Sequence, residues 1–447
     1  MESIYGSNPS TLLKARKVHF IGIGGIGVSA IARMMLGGGK QVSGSDRSKS
    51  LVTEELARAG AMIYEGHTAS HITNDLDLVV YTIAIPANNP ELMIAKKYGI
   101  PCVTYPEMIG IISRDKYTVA VAGTHGKTTT TAMLAQVCVE AEKDPTVIVG
   151  SLIKNHNNVG SNFIAGHSDL LIVEACEYQR SFLNLHPNMV IITNIETDHL
   201  DYYKDLKDIQ KAFGELVAKV PEDGYVICNT KDKVLRPVLK KAKCTIIDWT
   251  ASRIRPKLKV PGVHNVLNAK AVIATAKILG ISQVVALNAL ADFAGTWRRF
   301  EYKGATENGA LVYDDYAHHP TEIRATLAGA REFLRARQKS ITPGQLIAVF
   351  QPHLYSRTKL LLKEFANSFT DADIIAITDI YAAREALDPH ISSRDLVELI
   401  VKQKKVVHYT PQLTDAITFI KAATSPGDLV VILGAGDIGQ VAQAVIY

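Results

Sequence analysis

The sequence has few of the features that mark exported, membrane or nucleic-acid-binding proteins. Its five cysteines form no CxxC pair, so neither a disulfide framework nor a zinc cage is expected, and a reducing cytoplasm is the predicted location. No apolar run approaches the roughly 20 residues of a membrane-spanning helix, and the N-terminus shows no apolar signal segment. The 49 basic and 44 acidic residues nearly balance without forming a basic stripe. This excludes membrane and nucleic acid as expected partners and leaves small polyanions.

The chain predicts an α/β fold with several domains. Hydrophobic residues make up 47% of it, which is typical of a soluble globular protein, and 447 residues suggest three domains. Apolar runs such as VHFIGIG, DLVVYTIA, LLIVEAC, LIAVFQP and LVVILGAG alternate with helical segments. Such alternation favours mostly parallel sheets covered by helices on both faces. Turn-rich stretches near residues 99–106 and 298–308 place the predicted domains at 1–106, 107–298 and 299–447.

A glycine motif follows the first predicted strand. In HFIGIGGIGVSAIARMML, Gly22, Gly24 and Gly27 have the GxGxxG spacing, and Gly25 lies between them. Glycine allows a tight turn and lets a pyrophosphate approach the N–H groups at a helix N-terminus. Asp46 ends the next strand, where an acid binds ribose hydroxyls. The motif predicts nucleotide binding without naming the nucleotide, and a purely structural turn is the alternative.

The same spacing recurs near the C-terminus at Gly434, Gly436 and Gly439, in LVVILGAGDIGQVAQ. No ribose-binding acid follows this second copy in the sequence. It is interpreted as a structural turn from strand to helix, with any ligand contact accessory.

The stretch YTVAVAGTHGKTTTT indicates a phosphate-binding loop of unusual spacing. A standard P-loop would have a glycine where this chain has Val121, so the turn from Gly123 to Gly126 is shorter. The chemical parts are nevertheless present, because Lys127 can reach terminal phosphates and Thr128 offers a hydroxyl to magnesium. ATP binding is therefore predicted, against the alternative of a glycine turn with a surface lysine.

Polar residues end several predicted strands, which is where ligands bind in open α/β sheets. Glu174 and Glu177 follow LLIV, and Asp198 and His199 follow MVIITNIET. Thr128, Glu174 and phosphate oxygens suit a magnesium shell, whereas histidine is unusual for this ion. From the residues alone, His199 is better read as a packed loop histidine.

Later strand ends carry further candidates. The segment DDYAHHPTE places two acids, a tyrosine and two histidines before a helix, which favours a site. His353 and Arg357 follow another strand, where an arginine can grip a carboxylate or simply begin a solvated helix. Asn265, in VPGVHNVLNA, is by itself best read as a helix cap.

Together these segments resemble the Mur ligase family. GIGGIG with SGSD, AGTHGKTTTTAML, EACEYQRSFL, TNIETDHLDYY, GVHNVLNA, RRFEYKG, DDYAHHPTE, FQPHLYSRT and GAGDIG occur in that family's order, from about residue 17 to the C-terminus. The resemblance implies an N-terminal domain for the UDP part of a substrate, a central ATPase domain and a Rossmann-like C-terminal domain for the amino acid. The motifs are most similar to those of members that join L-alanine to UDP-N-acetylmuramate. The family's short GxxGK[ST] loop accounts for the unusual spacing.

The resemblance also implies residue roles. Lys127 is expected at the γ-phosphate, and Thr128, Glu174 and His199 at magnesium, which reverses the reading of His199 given above. The implied ATP contacts are Gly123, Thr124, His125, Gly126, Lys127, Thr128, Thr129, His264, Asn265, Asn268, Arg299 and Asp315. The implied contacts to the UDP-sugar, the amino acid and the reacting carboxylate are Gly22, Gly24, Gly25, Gly27, Asp46, Tyr316, His318, His353 and Arg357. The implied catalytic set is Lys127, Glu174, His199, His318 and Arg357.

Some positions depart from the family pattern. Many relatives have arginine where this chain has Leu354, so one guanidinium of the amino-acid pocket is absent or replaced. The bulky Trp297 lies at a domain junction. Ligases that add later residues carry a carbamylated lysine where this chain has Phe213. This difference favours the ligase that adds the first amino acid, and Lys211 is a guess for the group that replaces the carbamylated lysine.

The implied reaction uses ATP and Mg²⁺ to join L-alanine to UDP-N-acetylmuramate through an acyl phosphate, in a monomer or homodimer. A ligase that attaches a recycled peptide, or another amino acid, to the same acceptor is the close alternative. A nicotinamide dehydrogenase using GIGGIG and a non-catalytic UDP-sugar sensor are further alternatives, and the ATP loop and the metal-site acids disfavour both.

Overall fold

The computed structural model describes residues 12–154, 160–337, 344–383 and 385–447. Residues 1–11, on which the prediction of no signal segment partly rests, lie outside the described residues. Three sheets, each mostly or wholly parallel, follow one another along the chain and confirm the predicted three-domain α/β class. Among the described residues, no helix combines the length and apolar character needed to cross a membrane.

The first sheet is built from short apolar strands joined by helices. Its elements are β1 (Lys17–Ile21), α1 (Ile26–Gly37), β2 (Gln41–Asp46), α2 (Leu51–Arg58), β3 (Met62–Glu65), β4 (Leu78–Tyr81), α3 (Pro90–Lys97) and β5 (Cys102–Thr104). All its strands are parallel, in the order β3-β2-β1-β4-β5, which is the Rossmann arrangement. Gly25 is the N-cap residue of α1, and Asn89 caps α3 by accepting the N–H of Glu91 at 3.0 Å.

The second sheet carries the phosphate-loop sequence between its first strand and the helix that follows that strand. Its elements, preceded by α4 (Tyr105–Ser113), are β6 (Tyr117–Ala122), α5 (Lys127–Glu140), β7 (Thr146–Lys154), β8 (Gly160–Ile164), β9 (Leu170–Glu174), β10 (Met189–Ile192), α6 (Leu206–Val217), β11 (Tyr225–Cys228), α7 (Arg236–Leu239) and β12 (Thr245–Asp248). The order is β12-β11-β10-β6-β9-β7-β8. Among the strands described for this sheet, only the β7–β8 pair is antiparallel. Strands β6, β9 and β10 are therefore neighbours, so their carboxyl ends bring the loop and the predicted acids together.

The third sheet follows α8 (Val263–Ile278) and α9 (Gln283–Asp292). Its elements are β13 (Glu301–Ala305), β14 (Leu311–Asp315), α10 (Pro320–Arg337), β15 (Leu346–Phe350), α11 (Tyr355–Leu360), α12 (Leu362–Ala366), β16 (Ile374–Ile377), α13 (Ser393–Lys402), β17 (Val406–Tyr409), α14 (Leu413–Ala423), β18 (Leu429–Leu433) and α15 (Gly439–Val445). The order is β13-β14-β18-β15-β16-β17, with β13 antiparallel to β14 and the other pairs parallel. Central strands such as β15 and β18 are buried along their whole length.

The described chain groups into two compact units. Residues up to 254 and residues 270–289 form the first, and residues 255–269 with 290–447 form the second. The first two sheets thus share one unit, whereas the third sheet has its own. The domain limits at 106 and 298 stay a prediction.

Close packing joins the first two sheets within the first unit. A Cβ at Gly27 of α1 would lie 2.7 Å from the hydroxyl oxygen of Tyr105, so only glycine allows this approach. The buried Asn162 of β8 donates to the carbonyl of Ile26 and, at 2.8 Å, to the hydroxyl of Ser29. The Asn162 contacts fix α1 against β8 of the second sheet, and the Gly27 contact fixes α1 against α4.

Candidate active site

The first glycine loop is shaped by Asp46. A Cβ at Gly24 would lie 2.9 Å from the Asp46 carboxylate, which accepts the Gly24 N–H at 2.8 Å. Gly22 has a φ of +77°, a conformation that favours glycine. The turn is therefore held closed by the same acid that the sequence assigned to ribose. Contact of these residues with a nucleotide stays a prediction.

The phosphate loop is folded around two polar residues that follow β10. Asn194 accepts the N–H of His125 at 2.9 Å and donates to the His125 carbonyl at 3.0 Å. The Thr193 hydroxyl donates to the same carbonyl at 2.6 Å. Gly123 and Gly126 have φ values of +139° and +80°, so both glycines stand where the turn requires them. Side chains that follow β10 thus hold the short loop in place.

Lys127 bends back over this loop. Its ammonium donates to the carbonyls of Gly123 at 2.6 Å and Thr124 at 3.0 Å, and it lies 3.0 Å from the Glu177 carboxylate. Burial lowers the pKa of Lys127, but Glu177 and its acidic neighbours raise that pKa by more, so it lies above its ordinary value. A permanent positive charge is therefore held at the start of α5, where Thr129 also lies.

Of the predicted magnesium ligands, Thr128 and Glu174 contact each other, whereas His199 lies near Glu177. The Thr128 hydroxyl donates to one Glu174 oxygen at 2.9 Å, and the other oxygen accepts the Gly150 N–H at 2.7 Å. Nε2 of His199 lies 3.7 Å from the Glu177 carboxylate. Hydroxyl and carboxylate oxygens are the donors that Mg²⁺ prefers, so Thr128 and Glu174 fit this ion.

In the second unit, Asp315 ends β14 as a buried acid. Its carboxylate accepts backbone N–H groups on both oxygens, the nearer from Phe300 at 2.7 Å. Burial raises the pKa of Asp315 to about 6 against the lowering effect of the Arg299 guanidinium. That guanidinium lies 5.2 Å from the centre of the Tyr316 ring. Arg299 and Asp315, predicted for ATP, thus lie beside Tyr316, which was predicted for the amino acid.

A run of neighbouring rings extends this group. The ring centres of Tyr316 and His318 are 5.4 Å apart, and those of His318 and His353 are 5.8 Å apart. His353 stacks on Tyr381 with centres 5.7 Å apart and planes 21° apart. Nη1 of Arg357 lies 3.3 Å from Nδ1 of His353. The structure therefore brings together the residues predicted for the amino acid and the carboxylate.

The residues predicted for adenine lie at the start of α8. Burial lowers the pKa of His264 to about 4, Arg299 lowers it further, and Glu322 opposes both. His264 is therefore neutral at pH 7, which suits contact with a base better than an ion pair with phosphate. Asn265 and Asn268 are buried, and Asn265 donates at 2.7 Å to a carbonyl of the preceding turn. This bond is a local helix-start contact, and binding of adenine stays a prediction.

The second glycine loop is occupied by a buried arginine. Arg298 donates to the carbonyls of Gly434 at 2.6 Å and Gly436 at 3.0 Å and pairs with Asp314 at 3.0 Å. A Cβ at Gly439 would lie 3.1 Å from the guanidinium carbon. These contacts are those of a structural turn, as the sequence reading expected.

Two acids and one tyrosine gain importance only in the structure. Glu177 pairs with Lys127, and Glu322 accepts the N–H of His318 at 3.1 Å. Tyr381 stacks on His353 from a different strand end. The sequence shows Glu177 as an acid at a strand end, but no pattern in it indicates the contacts of Glu322 or Tyr381.

The departures from the family pattern have clear environments. Phe213 is fully buried and lies edge-on to Phe182 with centres 5.1 Å apart, so this position has no room for a charged group. Lys211 is exposed on α6. Leu354 is 4% exposed with a φ of +70°, and Trp297 is 40% exposed. The effects of Leu354 on the amino-acid pocket and of Trp297 on a hinge stay predictions.

Three mostly parallel sheets and a short phosphate loop with its lysine define an α/β nucleotide-binding protein, and comparison with known proteins identifies its family. The chain belongs to the Mur ligase family. The model for the Mur ligase family, catalytic domain, matches residues 17–117, that for the Mur ligase middle domain matches 121–253, and that for the Mur ligase, glutamate ligase domain, matches 298–436.

Individual relatives match almost the whole chain. It is 42% identical over 459 residues to the UDP-N-acetylmuramate--L-alanine ligase of Clostridium kluyveri, covering 96% of this chain and 98% of the relative. It is 41% identical over 460 residues to the ligase of the same name from Acetivibrio thermocellus, covering 96% and 95%. Among solved structures, UDP-N-acetylmuramate-alanine ligase from Thermotoga maritima has a TM-score of 0.78 at 29% identity, covering 96% and 97%. A murein peptide ligase from Psychrobacter arcticus has a TM-score of 0.70 at 25% identity, covering 96% and 98%.

Proposed function

We propose that this chain is an ATP- and Mg²⁺-dependent ligase that joins L-alanine to the carboxylate of UDP-N-acetylmuramate in peptidoglycan precursor synthesis. The observation that carries the proposal is the match over 96% of the chain, at 42% identity, to a relative named for this reaction. The loop geometry around Lys127 supports it. We further propose a cytoplasmic location, a monomer or homodimer, and the three domains 1–106, 107–298 and 299–447.

The chemistry follows from the cost of making an amide from a carboxylate in water. The muramoyl carboxylate takes the γ-phosphoryl group of ATP, giving an acyl phosphate and ADP, and the amine of alanine then displaces phosphate. Lys127 stabilises charge on the transferred phosphoryl group, because its ammonium is fixed over the loop before reaction. Tyr316, His318, His353 and Arg357 are proposed to hold the amino acid and the carboxylate.

The remaining roles are assigned in the same way. Thr128 and Glu174, with His199, would hold Mg²⁺, whose charge when bound neutralises phosphate oxygens. His264, Asn265, Asn268, Arg299 and Asp315 are proposed to contact the nucleotide. The first glycine loop, with Asp46, is proposed to bind the UDP group.

One assay tests the proposal. Purified protein is mixed with ATP, Mg²⁺ and UDP-N-acetylmuramate, and phosphate release and product mass are followed for each amino acid. We expect release that depends on L-alanine, and none above background in Lys127→Ala, which still binds the UDP-sugar. Normal turnover by Lys127→Ala contradicts the role of this lysine, and NAD(P)H-dependent absorbance change without phosphate release contradicts the reaction itself.

The alternative, a ligase that recycles peptides onto the same acceptor, uses the same assay. The structural match to the murein peptide ligase supports this alternative. The TM-score of that match is 0.70, below the 0.78 of the match to the alanine ligase. Phosphate release with L-alanyl-γ-D-glutamyl-meso-diaminopimelate but not with L-alanine would favour the alternative. UDP-sugar binding with no phosphate release under either condition would indicate a sensor.

A further inference from the structure

Three histidines surround one buried glutamate in the first domain, apart from the phosphate loop. Glu91, in the first turn of α3, has no exposed surface. One of its oxygens accepts from the Ser45 hydroxyl at 2.6 Å and lies 3.0 Å from Nδ1 of His67. The other lies 2.6 Å from Nδ1 of His71 and 3.8 Å from Nε2 of the buried His19. One carboxylate thus gathers side chains from four parts of the domain.

The charge state of Glu91 decides which protons the histidines carry. Burial raises the pKa of Glu91, but the neighbouring side chains of His19, Ser45 and His71 lower it by more, to about 2. The first-turn position adds a favourable interaction with the helix dipole. An ionised carboxylate can only accept hydrogen bonds, so Nδ1 of His67 and of His71 each carry a proton. In the neutral rings, Nε2 is then the acceptor nitrogen.

The cluster adjoins the part of the sheet predicted to bind a nucleotide. The residue before His67 donates its N–H to the Asp46 carbonyl at 2.7 Å. Tyr64 stacks on His71 with centres 4.2 Å apart and planes 11° apart. The side chains of His67 and His71 keep 17% and 13% of their surface exposed, so ligand can reach them.

We propose that Glu91 is a positioning residue for nucleotide recognition, which holds His67 and His71 in the tautomer that offers Nε2 to hydrogen-bond donors of the uridine. The proposal rests on the proposed function, in which this domain binds the UDP group. The imide N–H of uracil and the ribose hydroxyls are donors, whereas a diphosphate offers acceptors. The two histidines therefore recognise the nucleoside and leave the phosphates to the glycine loop.

Asparagine variants test the two Nε2 atoms without disturbing Glu91. The side-chain amide nitrogen of asparagine lies close to the position of histidine Nδ1, so His67→Asn and His71→Asn keep the donor to Glu91 and delete Nε2. UDP and inorganic pyrophosphate are titrated calorimetrically into the full-length chain. We expect Kd for UDP to rise about tenfold in at least one variant, the size of one lost hydrogen bond, with pyrophosphate binding and Tm unchanged. Wild-type UDP affinity in both variants overturns the proposal.

Glu91→Gln tests the tautomers themselves. Glutamine presents one acceptor and one NH₂ group, so one histidine loses its acceptor and is driven to the Nε2–H form, which ¹⁵N NMR of the rings reports directly. We expect this switch together with a weaker Kd for UDP and an unchanged KM for ATP. Glu107→Gln is the matched control, since Glu107 is also a first-turn glutamate and accepts the Thr104 N–H at 2.7 Å. This control should bind UDP normally.

The outcomes separate the two proposals. If the wild-type chain releases phosphate with L-alanine but Glu91→Gln keeps both tautomers and its UDP affinity, the role of Glu91 is wrong and the ligase assignment stands. If Glu107→Gln weakens UDP as much as Glu91→Gln does, the effect is general destabilisation and the role of Glu91 is again wrong. If the wild-type chain binds no UDP, the proposed function itself fails.

Discussion

Gly123→Ala tests whether the phosphate loop needs a backbone shape that only glycine supplies. The φ of +139° is rarely adopted by L residues, and an added Cβ would lie 1.9 Å from Oγ1 of Thr193 and 3.1 Å from the Asn194 carbonyl oxygen. Holding alanine in such a conformation costs about 1–3 kcal/mol. Moving Thr193 away from the His125 carbonyl costs about 0.5–1.5 kcal/mol more. We expect a loss of about 2–4 kcal/mol in the free energy of unfolding, with phosphate release reduced at least tenfold.

A double-mutant cycle separates the two costs. Thr193→Ala removes the oxygen that the new Cβ would meet, so Gly123→Ala/Thr193→Ala should lose about 1 kcal/mol less than the sum of the single variants. Urea denaturation gives the free energies, and phosphate release gives the activity. Gly280→Ala is the control, because Gly280 has a φ of +71° with no atom within 4 Å of an added Cβ, and it should lose about 1–2 kcal/mol without loss of turnover. Additive stability losses together with normal turnover in Gly123→Ala would refute the reasoning.

Three further predictions concern buried groups. Arg298→Met leaves the Asp314 carboxylate buried without its cation and should lower the free energy of unfolding, measured by urea denaturation, by about 3–5 kcal/mol. Adding Asp314→Asn should restore part of that free energy, and no restoration would contradict the ion pair. His264, whose folded pKa is about 4, takes up a proton on unfolding below pH 6.5, so its contribution to stability falls by about 3 kcal/mol between pH 6.5 and 4. His264→Phe should unfold with less pH dependence in that window, and an unchanged dependence contradicts the shift. In Gly27→Ala the new methyl group should clash with Tyr105 and lower the free energy of unfolding, measured by thermal denaturation, by about 1–3 kcal/mol. In a Tyr105→Ala background the same substitution should be nearly neutral, and an equal loss in both backgrounds would contradict the contact.

The sequence predicts the central strands well and the sheet edges poorly. Strands β6, β9, β10, β15 and β18 are parallel and buried on both faces, so each is a continuous apolar run that stands out from its neighbours. The antiparallel strands β8 and β13 read GSNFI and EYKGA and are only partly buried. One-sided burial leaves no apolar run, so neither strand was predicted.

Site residues also differ in how well the sequence predicts them. Lys127 and Thr128 lie next to one another on a turn whose chemistry is local, so spacing alone reveals them. The tertiary contacts of Glu91 come from residues 20 to 72 positions away in the chain and have no common spacing. Parallel strand pairing places His19 and Ser45, and the packing of α3 and of the turn after β3 brings Glu91, His67 and His71 to them. A single sequence does not show that packing.

The packing of α1 against the second sheet has a consequence for substrate length. Since the turn before α1 and the turn before α5 belong to one compact unit, the packing of that unit sets the distance between them. If these turns bind the UDP group and ATP as proposed, the backbone of the UDP-sugar must span that distance to bring its acid group to the ATP. An analogue shortened to a single bridging phosphate should therefore still bind, yet fall short of the phosphoryl group and yield no product.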